Sequence, residues 1–226
     1  MIKKGIFEFI GTFFLIFFGC GSIILNNIRN SGALLVGLSF GITLMAMIYI
    51  SGKVSGAHFN PAISFTFFVM GEIRFAELIV YTISQLLGGL LSVFFLVLIF
   101  GRNFNYTELY VENSIISATD LNENGIIIIL EFIFAFIVMF LYSKATIDGK
   151  IKSKFAPFFI GGIFCIGAAF LVNIDKAGLN VVRIIVTSLY NFKWQYFIYY
   201  ICAHWVGTFL GGITYSFVNQ LKRFKN

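Results

Sequence analysis

The stretch Ser55-Gly56-Ala57-His58-Phe59-Asn60-Pro61-Ala62 decides the fold, together with a partial echo, Asn180-Val181-Val182-Arg183, 120 residues later. Each asparagine opens an apolar segment, Pro61–Met70 or Val181–Tyr190. Both are too short to cross a bilayer, which takes roughly 20 apolar residues. Each follows a polar, Gly-bearing stretch, Gly52 to Asn60 and Asn173 to Asn180. Asparagine is a favoured helix N-cap, and proline is favoured at the first helical position, where Pro61 stands. The two segments therefore read as half-helices capped by Asn60 and Asn180.

Six longer apolar stretches surround them: Gly5–Leu25, Ala33–Ser51, Phe75–Phe100, Gly125–Tyr142, Phe155–Val172 and Gln195–Val218. Each is long enough, or nearly so, for a helical span. Composition agrees. The 226 residues are 59% apolar and only 12% charged, where a soluble domain carries roughly a quarter charged. Thirty phenylalanines exceed what one small soluble core can hide. This excludes an ordinary soluble enzyme, and also a disordered chain, which needs low hydrophobicity. The first stretch is too long for a signal peptide and reads as a retained span. The net charge of +6 calls for no nucleic acid. With six spans, Lys and Arg divide eleven to five between the two sides, which predicts cytoplasmic termini. The basic C-terminal tail is placed to meet water or anionic lipid headgroups.

The chain repeats itself. Glu8-Phe9-Ile10-Gly11 opens span one, and Glu131-Phe132-Ile133-Phe134 opens span four, 123 residues later. Gly88-Gly89 and Gly211-Gly212 share that offset. Each half holds three spans and one half-helix, so the halves must lie in opposite membrane orientations. Such inverted repeats with broken helices place a permeation site near the midplane. Glu8 and Glu131 are intramembrane acids, which are costly and need partners. Each is expected to accept backbone N–H bonds from a re-entrant loop and hold it; a proton relay ranks lower, because no chain of titratable groups joins them.

Half-helices meeting at the midplane would aim two positive dipole ends at the path and repel cations. Asn60 and Asn180 would offer amides to a neutral solute, and carbonyls of Ala57, His58, Phe59, Ala177, Gly178 and Leu179 a ladder of acceptors. Nothing here resembles a catalytic centre, and no cofactor or metal is required.

The loop Ser55–Ala62 resembles the first signature loop of the aquaporin (major intrinsic protein) family. Glu8-Phe9-Ile10-Gly11-Thr12 and Gln85-Leu86-Leu87-Gly88-Gly89 resemble it too, so the likeness covers nearly the whole chain. The second signature departs: the family has Asn-Pro-Ala followed by Arg, and here Val181 and Val182 replace Pro and Ala. Branched bulk at that point puts pore diameter and proton exclusion in question. By resemblance, an outer filter is formed by Phe40, Ala168, Ala177 and Arg183. Water-only members carry His where Ala168 stands, so the filter should be wide enough for glycerol or urea. Ile184 speaks against this, since glycerol facilitators carry Asp there.

Other residues read more plainly. His58 is a loop histidine near the pore. His204 is satisfied by a neighbouring helix. Cys20, Cys165 and Cys202 are small buried hydrophobes. Gly19, Gly21, Gly88, Gly89, Gly211 and Gly212 permit close helix packing.

The expected fold is an all-α membrane protein with six spans and two re-entrant half-helices in an inverted three-plus-three repeat. It is one domain, 1–226, with repeat one at 1–102, an outer loop at 103–124 and repeat two at 125–226. The expected function is passive conduction of water and small neutral solutes. The resemblance implies a homotetramer with a pore in each protomer. The alternatives are a strictly water-selective channel, a non-conducting structural homologue and, more distantly, a secondary carrier.

Overall fold

A computed structural model describes residues 1–101, 123–147, 155–174, 178–192, 194 and 197–223. Among these residues the chain is helical throughout, with no strand. The helices are α1 (Ile2–Arg29), α2 (Ala33–Ser51), α3 (Pro61–Val69), α4 (Phe75–Phe100), α5 (Glu123–Ile147), α6 (Ala156–Leu171), α7 (Val181–Asn191) and α8 (Phe197–Arg223). The all-α expectation holds, and α3 and α7 are the two half-helices.

Five helices, α1, α2, α4, α5 and α8, are long and apolar enough to cross a membrane. The fifth expected span is shorter than the sequence implied. Its helix α6 has 16 residues, about 24 Å at 1.5 Å per residue, against a hydrocarbon layer of about 30 Å. Pro157 in its first turn sets one end, and a turn closed by Ile174 N–H on Leu171 O sets the other. Large apolar side chains such as Phe14, Phe18, Leu87, Phe94 and Leu98 cover the outside. Glu8, Gln85, Glu131, Asn60, Asn180 and His204 are buried inside. This inversion of a soluble protein's surface suits a lipid solvent. Cys20 is buried as expected, but Cys202 is exposed on the apolar exterior and Cys165 lies between.

Helix α1 packs on α4, α5 on α8, and α2 on α6 across the two halves. Glycines set these distances. A β-carbon on Gly88 would strike the Phe9 carbonyl, and one on Gly211 the Phe136 carbonyl. Gly41 and Gly161 face each other so closely that a β-carbon on either would stand 2.6 Å from the other's carbonyl oxygen. Half-helix α3 touches α4 and α8, α7 touches the same pair, and α3 meets α7. Each half-helix is therefore held by both halves of the chain. At one end of the α1–α4 pair, Lys4 Nζ binds Glu77 at 2.5 Å, with Arg74 Nε at 3.4 Å on the same carboxylate.

Candidate functional site

The site begins with two matching caps. Asn60 (φ −152°, ψ 123°) and Asn180 (φ −151°, ψ 125°) have nearly the same extended backbone. Asn60 Oδ1 accepts from Ala62 N at 3.1 Å. Asn180 Oδ1 accepts from Val182 N at 2.9 Å and Arg183 N at 3.4 Å. These bonds satisfy orphan donors at the helix starts and fix each amide's orientation. Asn180 Nδ2 then donates to Phe59 O at 2.8 Å, tying one loop to the other. The two half-helix N-termini, each a centre of partial positive charge, thus meet.

Two buried carboxylates hold the loops. Glu8 Oε1 accepts from Ser55 Oγ (2.6 Å) and His58 N (2.9 Å). Glu8 Oε2 accepts from Phe59 N (2.7 Å) and Gln85 Nε2 (2.8 Å). Glu131 accepts from Leu179 N at 3.1 and 3.0 Å through its two oxygens, and meets His204 Nδ1 at 3.2 Å. The need for such anchors is visible in the backbone. Ala57, Phe59 and Leu179 have φ of 60°, 50° and 50°, a left-handed conformation that costs non-glycine residues about 1–2 kcal/mol each. Charge-assisted bonds to N–H groups of the same turns offset that cost. Two tyrosines add to the first loop. Tyr81 donates to Ser55 O at 2.5 Å. Tyr142 Oη lies between the Gly56 and Ala57 carbonyls, 2.7 Å from the latter.

A cavity of ≈ 20 Å³ of water-accessible space opens at this level, room for about one water. Its polar lining comes from Asn60, Asn180, His58, His204, Thr208 and Tyr142, and its apolar wall includes Leu15, Leu44, Val138, Ile160 and Phe164. One polar stripe against an apolar wall suits a small molecule that both donates and accepts hydrogen bonds. His58 is fixed by its Nδ1–Ser64 Oγ contact at 3.1 Å and by stacking on Phe67.

The structure gathers Asn60, Asn180 and His58 around this cavity. Phe40, Ala168 and Arg183 are buried but lie outside its lining. Phe40 lies across Gly19, with its ring 6.0 Å from that of Phe164. Arg183 Nη1 donates to Gly178 O at 3.2 Å. Ala177 falls outside the described residues. Pro61, Ala62, Val181 and Val182 are buried; Val182 packs against Gly89 of α4, away from the cavity. The acceptor ladder is partly occupied. Ala57 O takes the Tyr142 hydroxyl and Phe59 O the Asn180 amide, leaving each at most one further lone pair, while Gly178 O already accepts both the Asn180 N–H at 2.6 Å and the Arg183 side chain.

Three polar residues of the cavity, Thr208, Tyr142 and His204, were not picked out as pore residues from the sequence; Thr208 lies within an apolar span with nothing local to mark it. Tyr142 ends an apolar span and carries no local signal. His204 carries one: it lies 123 residues after Tyr81, the repeat offset, and Tyr81 anchors the first loop.

Comparisons with known proteins agree with this geometry. Residues 1–215 match the family described as Major intrinsic protein. The probable aquaporin NIP4-2 of Arabidopsis thaliana is 30% identical over 220 residues, covering 96% of this chain and 75% of the relative. Aquaporin NIP3-1 of the same plant is 31% identical, covering 98% and 69%. Among solved structures, the aquaglyceroporin from Plasmodium falciparum superimposes with a TM-score of 0.71 over 96% of this chain and 94% of that one, at 20% identity.

Proposed function

This chain belongs to the major intrinsic protein family, a family of multi-pass membrane channels and not of enzymes, and on that premise we propose that it conducts water together with small neutral solutes such as glycerol and urea. The observation that carries the reading is the pair of capped asparagines. Each holds its oxygen on its own half-helix and commits one N–H to a neighbour, Phe59 O or His204 Nε2. Each amide nitrogen has two N–H donors, so one remains for a solute in the cavity between them.

In this reading Phe40, Ala168, Ala177 and Arg183 form the outer filter, and Glu8 and Glu131 hold the loops. Each protomer of a homotetramer has its own pore, and both termini are cytoplasmic. The Val181-Val182 departure is compatible with conduction because Val182 fills space beside Gly89 and neither valine lines the cavity. A strictly water-selective channel is the second reading, favoured by a cavity that admits about one water.

Stopped-flow shrinkage of proteoliposomes, with sucrose and then glycerol as osmolyte, tests this. Fast shrinkage in both, with rapid reswelling in glycerol, is the expected result. Fast shrinkage without reswelling selects the water-only channel. Rates equal to empty liposomes, with folded protein present, refute conduction.

A further inference from the structure

The two asparagines are held differently. The repeat would give Asn60 Nδ2 a carbonyl of the opposite loop, as Asn180 Nδ2 has Phe59 O. Instead Asn60 Nδ2 meets His204 Nε2 at 2.9 Å. The other ring nitrogen, Nδ1, faces the Glu131 carboxylate at 3.2 Å. All three side chains are buried, at 3%, 3% and 0% exposure for Asn60, His204 and Glu131, and Asn60 and His204 line the cavity.

The chemistry of the three groups permits one proton arrangement. Asn60 Oδ1 is committed to Ala62 N–H, so the amide nitrogen faces the ring. An amide nitrogen only donates, so Nε2 must present a lone pair. A neutral imidazole with a bare Nε2 carries its proton on Nδ1, where Glu131 accepts it. The carboxylate therefore sets the tautomer, and the tautomer holds the amide.

We propose that His204 is a positioning residue of the pore: as the Nδ1–H tautomer it links Glu131 to Asn60 and fixes which N–H the amide turns toward the permeating molecule. The functional half of this inference rests on the channel reading above; the hydrogen-bond half does not. Protonation of His204 would place an N–H against the Asn60 N–H. The amide could answer only by turning its oxygen to the ring and releasing Ala62 N–H.

The charged and titratable neighbours are few. Helix α5 presents Glu131 and, in the cavity lining, Tyr142; α7 carries Arg183, bound to Gly178 O, and Tyr190 near its far end; α3 carries none, and the loop before it supplies His58. The anchoring carboxylate on α5 is thus the group that meets the ring directly.

The test joins spectroscopy to transport. The chain has two histidines, so ¹⁵N-histidine NMR of the full-length protein in lipid resolves both, with His204→Gln assigning the signals. At neutral pH the His204 ring should be protonated at Nδ1 and bare at Nε2, the reverse of the usual preference of a free ring. An Nε2–H tautomer overturns the proposal.

In proteoliposomes, His204→Phe keeps an aromatic ring but orphans the Asn60 donor, and should lose roughly fivefold or more of the wild-type water permeability. His204→Gln offers one acceptor and one donor at similar spacing and should recover most of the wild-type rate. A His204→Phe channel with the wild-type rate overturns the proposal. An inert wild-type channel that nonetheless shows the Nδ1–H ring would refute the transport reading while supporting the relay.

Discussion

Glu8→Gln probes the first loop at its anchor. The carboxylate receives four donors, two on each oxygen: Ser55 Oγ and His58 N on one, Phe59 N and Gln85 Nε2 on the other. Glutamine turns one of those oxygens into a donor. If the new NH2 faces Ser55, the hydroxyl can rotate, but His58 N–H is orphaned. If it faces Gln85, that amide can flip, since its Oε1 has no partner, but Phe59 N–H is orphaned and the Gln85–Ser64 bond (3.1 Å) is lost. Either way one buried backbone donor is stranded, at about 1–3 kcal/mol, and charge assistance leaves the remaining bonds. A total near 2–4 kcal/mol follows, or a fall in Tm on the order of 5–15 °C for a chain of this size. Thermal melting of purified protein, read as loss of the monodisperse species, measures it. Hydrogen exchange at His58 and Phe59 should accelerate in parallel, because the left-handed turn at Phe59 loses its support. A Glu8→Gln protein that melts within a degree or two of wild type, with unchanged exchange at those amides, would refute the anchoring argument.

Further predictions concern other contacts. Gly89→Ala drives a methyl into Val182 and should cost about 1–3 kcal/mol by overpacking; adding Val182→Ala should restore most of it, so a double-mutant melting cycle with no coupling would contradict the packing described. Tyr142→Phe releases the Gly56 and Ala57 carbonyls, costing about 1 kcal/mol of stability while raising water permeability in the same liposome assay. Ala168→His should abolish glycerol reswelling and spare water flux if Ala168 belongs to the filter; persistent glycerol flux would remove it from that role.

Much of the architecture was legible because membrane insertion simplifies the code. Apolar length located α1, α2, α4, α5 and α8, and asparagine capping located the starts of both half-helices at Pro61 and Val181. The shortness of α6 was harder to read, because apolar length does not register where a proline and a terminal turn cut the helix. At the site, the 123-residue offset paired Glu8 with Glu131 but said nothing of what each would bind. Their partners are set by side chains from other helices, Gln85 on α4 and His204 on α8. His204 was read as satisfied by a neighbour; the structure gives it two, and the second is Asn60. Tyr142 was invisible for the same reason. Its hydroxyl reaches a loop 85 residues earlier in the chain, a distance across which no local pattern carries information.

The Gly41–Gly161 contact bears on how the molecule can move. A transporter that exposes its site to each side in turn must let one half roll over the other, and rolling needs side chains that act as bearings between the two. Here α2 and α6 approach so closely that a β-carbon on either glycine would stand 2.6 Å from the other's carbonyl oxygen, and Phe40 meets Phe164 across the same pair of helices. Rotation of α2 on α6 has little slack at that point, where there is no room for even one added carbon. A seam this tight suits two halves that stay in register, the arrangement of a fixed passage rather than of a carrier that rocks.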